Sequence, residues 1–339
     1  MRLFVLLRLR TVSRSRLMAF SPQGGRHELG QNFLVDRSVI DEIDGLVART
    51  KGPILEIGPG DGALTLPLSR HGRPITAVEL DGRRAQRLGA RTPGHVTVVH
   101  HDFLQYPLPR NPHVVVGNVP FHLTTAIMRR LLDAQHWHTA VLLVQWEVAR
   151  RRAGVGGSTL LTAGWAPWYE FDLHSRVPAR AFRPMPGVDG GVLAIRRRSA
   201  PLVGQVKTYQ DFVRQVFTGK GNGLKEILRR TGRISQRDLA TWLRRNEISP
   251  HALPKDLKPG QWASLWELTG GTADGSFDGT AGGGAAGSHG AARVGAGHPG
   301  GRVSASRRGV PQARRGRGHA VRSSTGTEPR WGRGRPESA

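Results

Sequence analysis

The four residues Asn118-Val119-Pro120-Phe121 have the types and order needed to grip a planar amine. They close the apolar run His113-Val114-Val115-Val116-Gly117 and precede a helix start at His122-Leu123-Thr124-Thr125. At the end of a buried strand, the Asn118 side-chain oxygen and the Val119 backbone carbonyl can both accept hydrogen bonds from one NH2 group. Phe121 can stack on the ring that carries that amine. Pro120, cis or in a turn, would keep the acceptors and the ring together.

A second cluster lies upstream. Glu56-Ile57-Gly58-Pro59-Gly60-Asp61-Gly62 follows an apolar run, and its glycines let the backbone turn sharply and approach a ligand. The spacing is ExGxGxG and not GxGxxG, so a pyrophosphate-binding nicotinamide loop fits less well than an amino-acid carboxylate at a helix N-terminus. Glu79 ends the second strand, 21 residues after Gly58, where carboxylates grip ribose hydroxyls in Rossmann-like folds. Asp102 ends the third and can accept from an adenine NH2. A lone Gly-rich turn is structural more often than not. Four such pieces in order, each at a strand's carboxyl end, read as an enzyme that methylates the exocyclic amine of adenine.

Positioning these groups requires a sheet. Short β-rich runs at 54–57, 75–78, 96–99, 114–116 and 141–144 alternate with helical patterns, which predicts βαβ units and a parallel sheet. Runs at 168–177 and 191–196, separated by Pro184 and Pro186, predict a closing antiparallel hairpin at one edge. The expected fold is α/β, a seven-stranded Rossmann-like sheet of class I methyltransferase type over residues 25–200. From 201 to 270 the periodicity turns helical. Tyr209, Phe212, Val213, Val216 and Phe217 share one face, and Ser235 with Asp238 has capping-box spacing. This predicts a small helical domain that binds RNA. Residues 1–24 read as a disordered basic extension, with Met18 an alternative start, and 271–339 as a disordered Gly/Arg-rich tail.

Composition narrows the partner. The formal charge is +25, and the tail's eleven Arg and four acids leave +18 on the first 270 residues. A body that basic favours polyanions through counterion release. The absence of cysteine excludes disulfides and Cys-ligated metal sites, and suits a cytoplasmic protein. The N-terminal apolar run is interrupted by Arg8 after five residues, and no run approaches the roughly 20 residues of a membrane span. His100 and His101 invite a metal, but no matching carboxylate cluster accompanies them, so no metal is expected. Trp165 and Trp168 fit RNA contact or sheet-edge packing. Arg150-Arg151-Arg152 fits a solvated face or phosphate contact.

Several stretches resemble one family. Gly30-Gln31-Asn32-Phe33-Leu34, the EIGPGDG loop, Val78-Glu79-Leu80-Asp81, His101-Asp102-Phe103, the Asn118 motif and Phe182-Arg183-Pro184-Met185-Pro186 run in the order of the rRNA adenine N6-methyltransferases. Residues 145–162 and the GKGNGL segment at 219–224 look like the actinomycete Erm group, the macrolide–lincosamide–streptogramin B resistance methylases. The resemblance covers about residues 25–270. It implies S-adenosylmethionine as cofactor, with Asn32 and Leu34 on an N-terminal segment closing over it. Gly58 and Gly60 would then lie by its methionine part, Glu79 on its ribose, Asp102 at its adenine and Asn118 at the target base. Where relatives often carry Tyr, this chain has Phe121, which keeps the stacking and loses the hydroxyl. The implied partner is 23S rRNA, free or in an assembling large subunit, met by a monomer. Small-subunit rRNA dimethylation, DNA adenine methylation and a non-catalytic RNA-binding factor on the same scaffold are the competing readings.

Overall fold

The computed structural model describes residues 32–271. The expected extension at 1–24 and almost all of the expected tail lie outside these residues. The chain runs through β1 (Phe33–Leu34), α1 (Arg37–Ala48), β2 (Ile54–Ile57), α2 (Thr65–Ser69), β3 (Ile75–Glu79), α3 (Gly82–Gly89) and β4 (Val96–His100). It continues through β5 (His113–Asn118), α4 (Thr124–Asp133), β6 (Trp137–Gln145), α5 (Trp146–Arg152), α6 (Leu160–Trp165), β7 (Tyr169–Val177), β8 (Phe182–Arg183) and β9 (Gly190–Arg197). Four helices follow: α7 (Val206–Phe217), α8 (Leu224–Thr231), α9 (Gln236–Arg245) and α10 (Pro259–Leu268).

The sheet has seven strands in the order β4-β3-β2-β5-β6-β9-β7. Neighbours from β4 to β6 are parallel, and β9 is antiparallel to both β6 and β7. The expected hairpin therefore closes one edge, with β9 inside and β7 outermost. The order reverses between β2 and β5, the switch point at which open α/β sheets bind ligands beyond their carboxyl ends.

Side-chain alternation divides the core into two faces. Ile54, Val114, Val116, Val141 and Leu143 pack against Val39, Ile43 and Val47 of α1 and Leu68 of α2. Leu55, Ile57, Val115, Leu142 and Leu193 pack against Ile127, Met128 and Leu131 of α4. Asp36 caps α1 by accepting from the Ser38 N–H at 2.9 Å, which orients the helix onto the first face. Gly117 is needed where β5 meets β2, because a Cβ there would lie 2.8 Å from the Ile57 carbonyl oxygen.

The second face continues into the C-terminal helices. Tyr209, Phe212, Val213 and Val216 are buried as their spacing predicts, in one core with Trp165, Trp168 and Tyr169. The two tryptophans are thus core residues. Trp168 meets Tyr209 edge-on at 5.5 Å, and Trp137 stacks on Tyr169 at 5.0 Å. Ser235 caps α9 by accepting from the Asp238 N–H at 3.1 Å.

Candidate functional site

Four strand ends converge on one pocket. β2 delivers the glycine loop, β3 ends in Glu79, β4 leads to Asp102 and β5 ends in Asn118. Asn32, Gly58, Gly60, Glu79, Asp102, Asn118, Val119 and Phe121 all line a cavity of about 100 Å³. Leu34 does not: its side chain is buried in the first core face, beneath the segment that carries Asn32.

Glu79 organises the glycine loop. It is 2% exposed, and each of its oxygens accepts one backbone hydrogen bond. The Gly60 N–H donates to Oε2 at 2.8 Å, and the Asp81 N–H to Oε1 at 2.9 Å. A carboxylate oxygen has two lone pairs, so acceptor capacity remains toward the pocket. Gly60 has φ +58°, and a Cβ there would come within 3.1 Å of the Phe33 ring. Asp102 is similarly held, its Oδ1 accepting from the Leu104 N–H at 2.9 Å and its Oδ2 from the Gln105 amide at 3.0 Å.

Glu56 stands apart from the lining. It is 1% exposed in β2, an interior strand, and its Oε2 has no hydrogen-bond partner. Burial pushes its carboxyl up to about 8, contact with Thr65 offsets only part of this, and the neighbouring Glu79 charge adds to the rise. Near neutral pH it is mostly a neutral acid.

Asn118 is oriented by the N-terminal segment. Its Nδ2 donates to the Asn32 carbonyl oxygen at 2.7 Å. Only the NH2 half of an amide can face a carbonyl, so Oδ1 is left as the free acceptor. The peptide bond before Pro120 is trans, and the cis bond lies between Arg183 and Pro184. Pro120 instead opens a 3-10 turn, Phe121–Leu123, which sets Phe121 edge-on to the buried Phe182 at 6.2 Å.

The segment at 32–35 crosses the pocket as a strap. β1 pairs antiparallel with β8, and the Val35 N–H donates to the Ala181 carbonyl at 2.9 Å. The Arg84 guanidinium lies 4.2 Å from the Phe33 ring centroid and pairs with Asp61 at 2.7 Å and Asp81 at 3.7 Å. Phe33 and Leu80 line the pocket and were not anticipated. Leu80 follows the strand-end Glu79 and is 48% exposed. An apolar residue just past an acidic strand end is the signal that could have found it. Among the described residues, no group of three or more His, Cys, Asp or Glu is placed to hold a metal, and no helix is long and apolar enough to cross a membrane.

Residues 23–269 match the family described as ribosomal RNA adenine dimethylase. Over 248 residues the chain is 56% identical to the mycinamicin-resistance protein MyrB of Micromonospora griseorubida, covering 72% of this chain and 79% of that one. Over 211 residues it is 58% identical to an rRNA adenine N-6-methyltransferase of Corynebacterium diphtheriae, covering 61% and 83%. The crystal structure of the 23S rRNA methyltransferase ErmE matches with a TM-score of 0.66 at 34% identity, covering 70% of this chain and 100% of that one. On a match of that extent, the chain belongs to the ribosomal RNA adenine dimethylase family, as an S-adenosylmethionine-dependent rRNA adenine N6-methyltransferase.

Proposed function

We propose that this enzyme methylates N6 of one adenine in 23S rRNA and so confers resistance to macrolide, lincosamide and streptogramin B antibiotics. The observation that carries the chemistry is Asn118, whose NH2 is committed to the Asn32 carbonyl so that its oxygen is left to accept. The choice of 23S rRNA rests on likeness to a mycinamicin-resistance protein and to ErmE. The enzyme acts as a monomer in the cytoplasm, where ribosomal subunits are assembled.

The pocket residues fit the cofactor. Glu79 keeps lone pairs for ribose hydroxyls, and Asp102 keeps them for an adenine amine. Gly58 and Gly60 let the backbone approach the methionine part. Asn32 closes the pocket from above, and Leu34 anchors that closure from below. When bound, the cofactor supplies a methyl group on a positively charged sulfur.

The protein's own part is positioning. An adenine amine is a poor nucleophile because its lone pair is delocalised into the ring. Asn118 Oδ1 and the Val119 carbonyl accept hydrogen bonds from its two N–H groups, which favours sp3 character and frees the lone pair. Phe121 stacks on the base and offsets part of the cost of unstacking it. The methylated nitrogen is acidic enough to release its proton to water, so no side-chain base is required. Alignment of amine and methyl supplies the rest.

Mass spectrometry of 23S and 16S rRNA from cells with and without the gene, alongside macrolide susceptibility, tests this reading. It expects a methylated adenine in 23S rRNA and raised resistance. Methylation confined to 16S rRNA would establish the small-subunit alternative instead, and no methylation would favour the binding-factor reading.

A further inference from the structure

A second cavity, of about 730 Å³, lies away from the adenine pocket. Its walls are the end of α5, the outer strand β7 and the loop entering α10. β7 begins with Tyr169 opposite Arg197, at the end of the sheet where β5 begins with His113. Asn118 is at the other end of β5, about 17 Å along the strand at ~3.3 Å per residue.

The charges of this groove divide into two sets. Glu170 and Asp172 are held by its own arginines: Arg196 pairs with both, at 3.1 and 3.0 Å, and Arg198 pairs with Glu170 at 2.7 Å. Asp256 accepts from the Leu253 N–H. Arg152, Lys255 and Lys258 have no ion pair among the described residues. Arg152 donates only to the neutral Thr159 hydroxyl, at 2.8 Å, and its Nε finds no acceptor. Burial and the repulsion of Arg129 and Arg151 both disfavour its charge, so an incoming anion would relieve it. The Lys255 stem is aimed by the backbone. It lies across Gly157, whose Cβ, if present, would be 3.0 Å from Lys255 Cδ, while its carbonyl accepts from the Ser158 N–H.

We propose that this groove is a second RNA contact, in which Arg152, Lys255 and Lys258 take phosphodiester oxygens of the rRNA at a distance from the target adenine. The assignment rests on the rRNA-methylating reading above, since a polyanionic substrate is what makes an unpaired cationic groove useful. Contacts so far from Asn118 and made to the backbone set affinity and register, not the base chosen. They are also lost for an RNA too short to span from pocket to groove.

Lys255→Gln and Lys258→Gln test this, because both side chains are exposed and glutamine removes the charge while keeping most of each stem. RNA binding is measured by filter assay at several salt concentrations, with steady-state methylation of a long 23S fragment and of a minimal hairpin carrying the same adenine. The double variant should lower the log–log salt slope on the long fragment by roughly 1.4–1.8, for two phosphate contacts at ~0.7–0.9 each. It should raise KM there with kcat unchanged, and leave the hairpin's kinetics, cofactor affinity and the methylated position as in the wild type. An unchanged salt slope overturns the proposal, as does an equal loss on hairpin and long fragment. If the wild type methylates 16S and not 23S fragments, the target assignment falls, and the same slope comparison on the 16S fragment still decides the groove.

Discussion

The Asn118 amide has two ends, Nδ2 bonded to the Asn32 carbonyl and Oδ1 proposed to meet the adenine amine, and substitutions can separate them. Asn118→Asp keeps an acceptor for the adenine amine but turns a carboxylate oxygen toward the Asn32 carbonyl, replacing a hydrogen bond with repulsion between two acceptors. Transfer should fall by about 10²-fold or more, as when one preorganised partner is removed from a reacting group. Asn118→Ala should do the same, while S-adenosylmethionine affinity by calorimetry stays within a few-fold. Near-wild-type turnover in Asn118→Asp would show that the Asn32 contact does not orient the amide. Glu56 makes a separable prediction. Its carboxyl stays protonated in the fold to about pH 8 but ionises near its ordinary value of 4.5 in the unfolded chain. Between those values the unfolded state binds fewer protons, so stability falls as pH rises, by up to roughly 5 kcal/mol across the window. Glu56→Gln should flatten urea-midpoint stability between pH 5 and 8, and a slope equal to the wild type's would mean that Glu56 does not titrate there. Asn118 and Glu79 stood out in the pocket lining because each is a polar residue closing an apolar run, while Asp102 lies two residues past the end of its strand at His100. Phe33 and Leu80 did not stand out, because apolar types read as core wherever they fall.

At the scale of elements, the strap links the pocket lining to Asn118 through the Asn32 carbonyl. Asn32 and Phe33 of the strap line the pocket, so how firmly the strap is held bears on how long a bound cofactor stays. The strap is held by the two-residue pairing of β1 with β8, by burial of Leu34, by the Asn118 amide on the Asn32 carbonyl and by the Arg84 guanidinium on Phe33. A cation over an aromatic face contributes about 0.5–2 kcal/mol. Arg84→Ala should therefore speed cofactor dissociation by roughly 2- to 30-fold, seen as faster release in a stopped-flow chase. It should also lower kcat, because a lifted strap withdraws the Asn32 carbonyl from Asn118. An unchanged release rate would place the strap's anchor elsewhere. The long strands could be read from β-branched runs, and the edge hairpin from the prolines between its strands. β1 and β8 are two residues each, too short to carry a period, and their pairing spans about 150 positions of sequence. The groove was hidden for the same reason: residues near 152, 170 and 256 meet only through the fold.

For the whole described molecule, the question is whether the helices after β9 melt with the sheet or before it. Their helical periodicity marks them off in the sequence, but their buried face is built from the same aromatic cluster that covers the sheet. Tyr209 of α7 is fully buried, meets Trp168 and Trp266, and its hydroxyl donates to the Ala163 carbonyl of α6 at 3.0 Å. Separating α7 from the sheet would expose these rings and leave the hydroxyl's partner without its bond. Such coupling predicts one calorimetric transition for the sheet and helices together. Tyr209→Phe removes only the hydroxyl, leaves the Ala163 carbonyl unpaired in an apolar site and should cost about 1–3 kcal/mol. For a body of this size each kcal/mol moves the midpoint by roughly 2–4 °C, so the single transition should shift as a whole by several degrees. Far-ultraviolet circular dichroism, which reports the helices, and tryptophan fluorescence, which reports the shared core, should move together. A variant in which the circular dichroism change separates to a lower temperature while the core signal stays in place would mean that the C-terminal helices fold on their own account, and that the aromatic cluster joins two units that are energetically distinct.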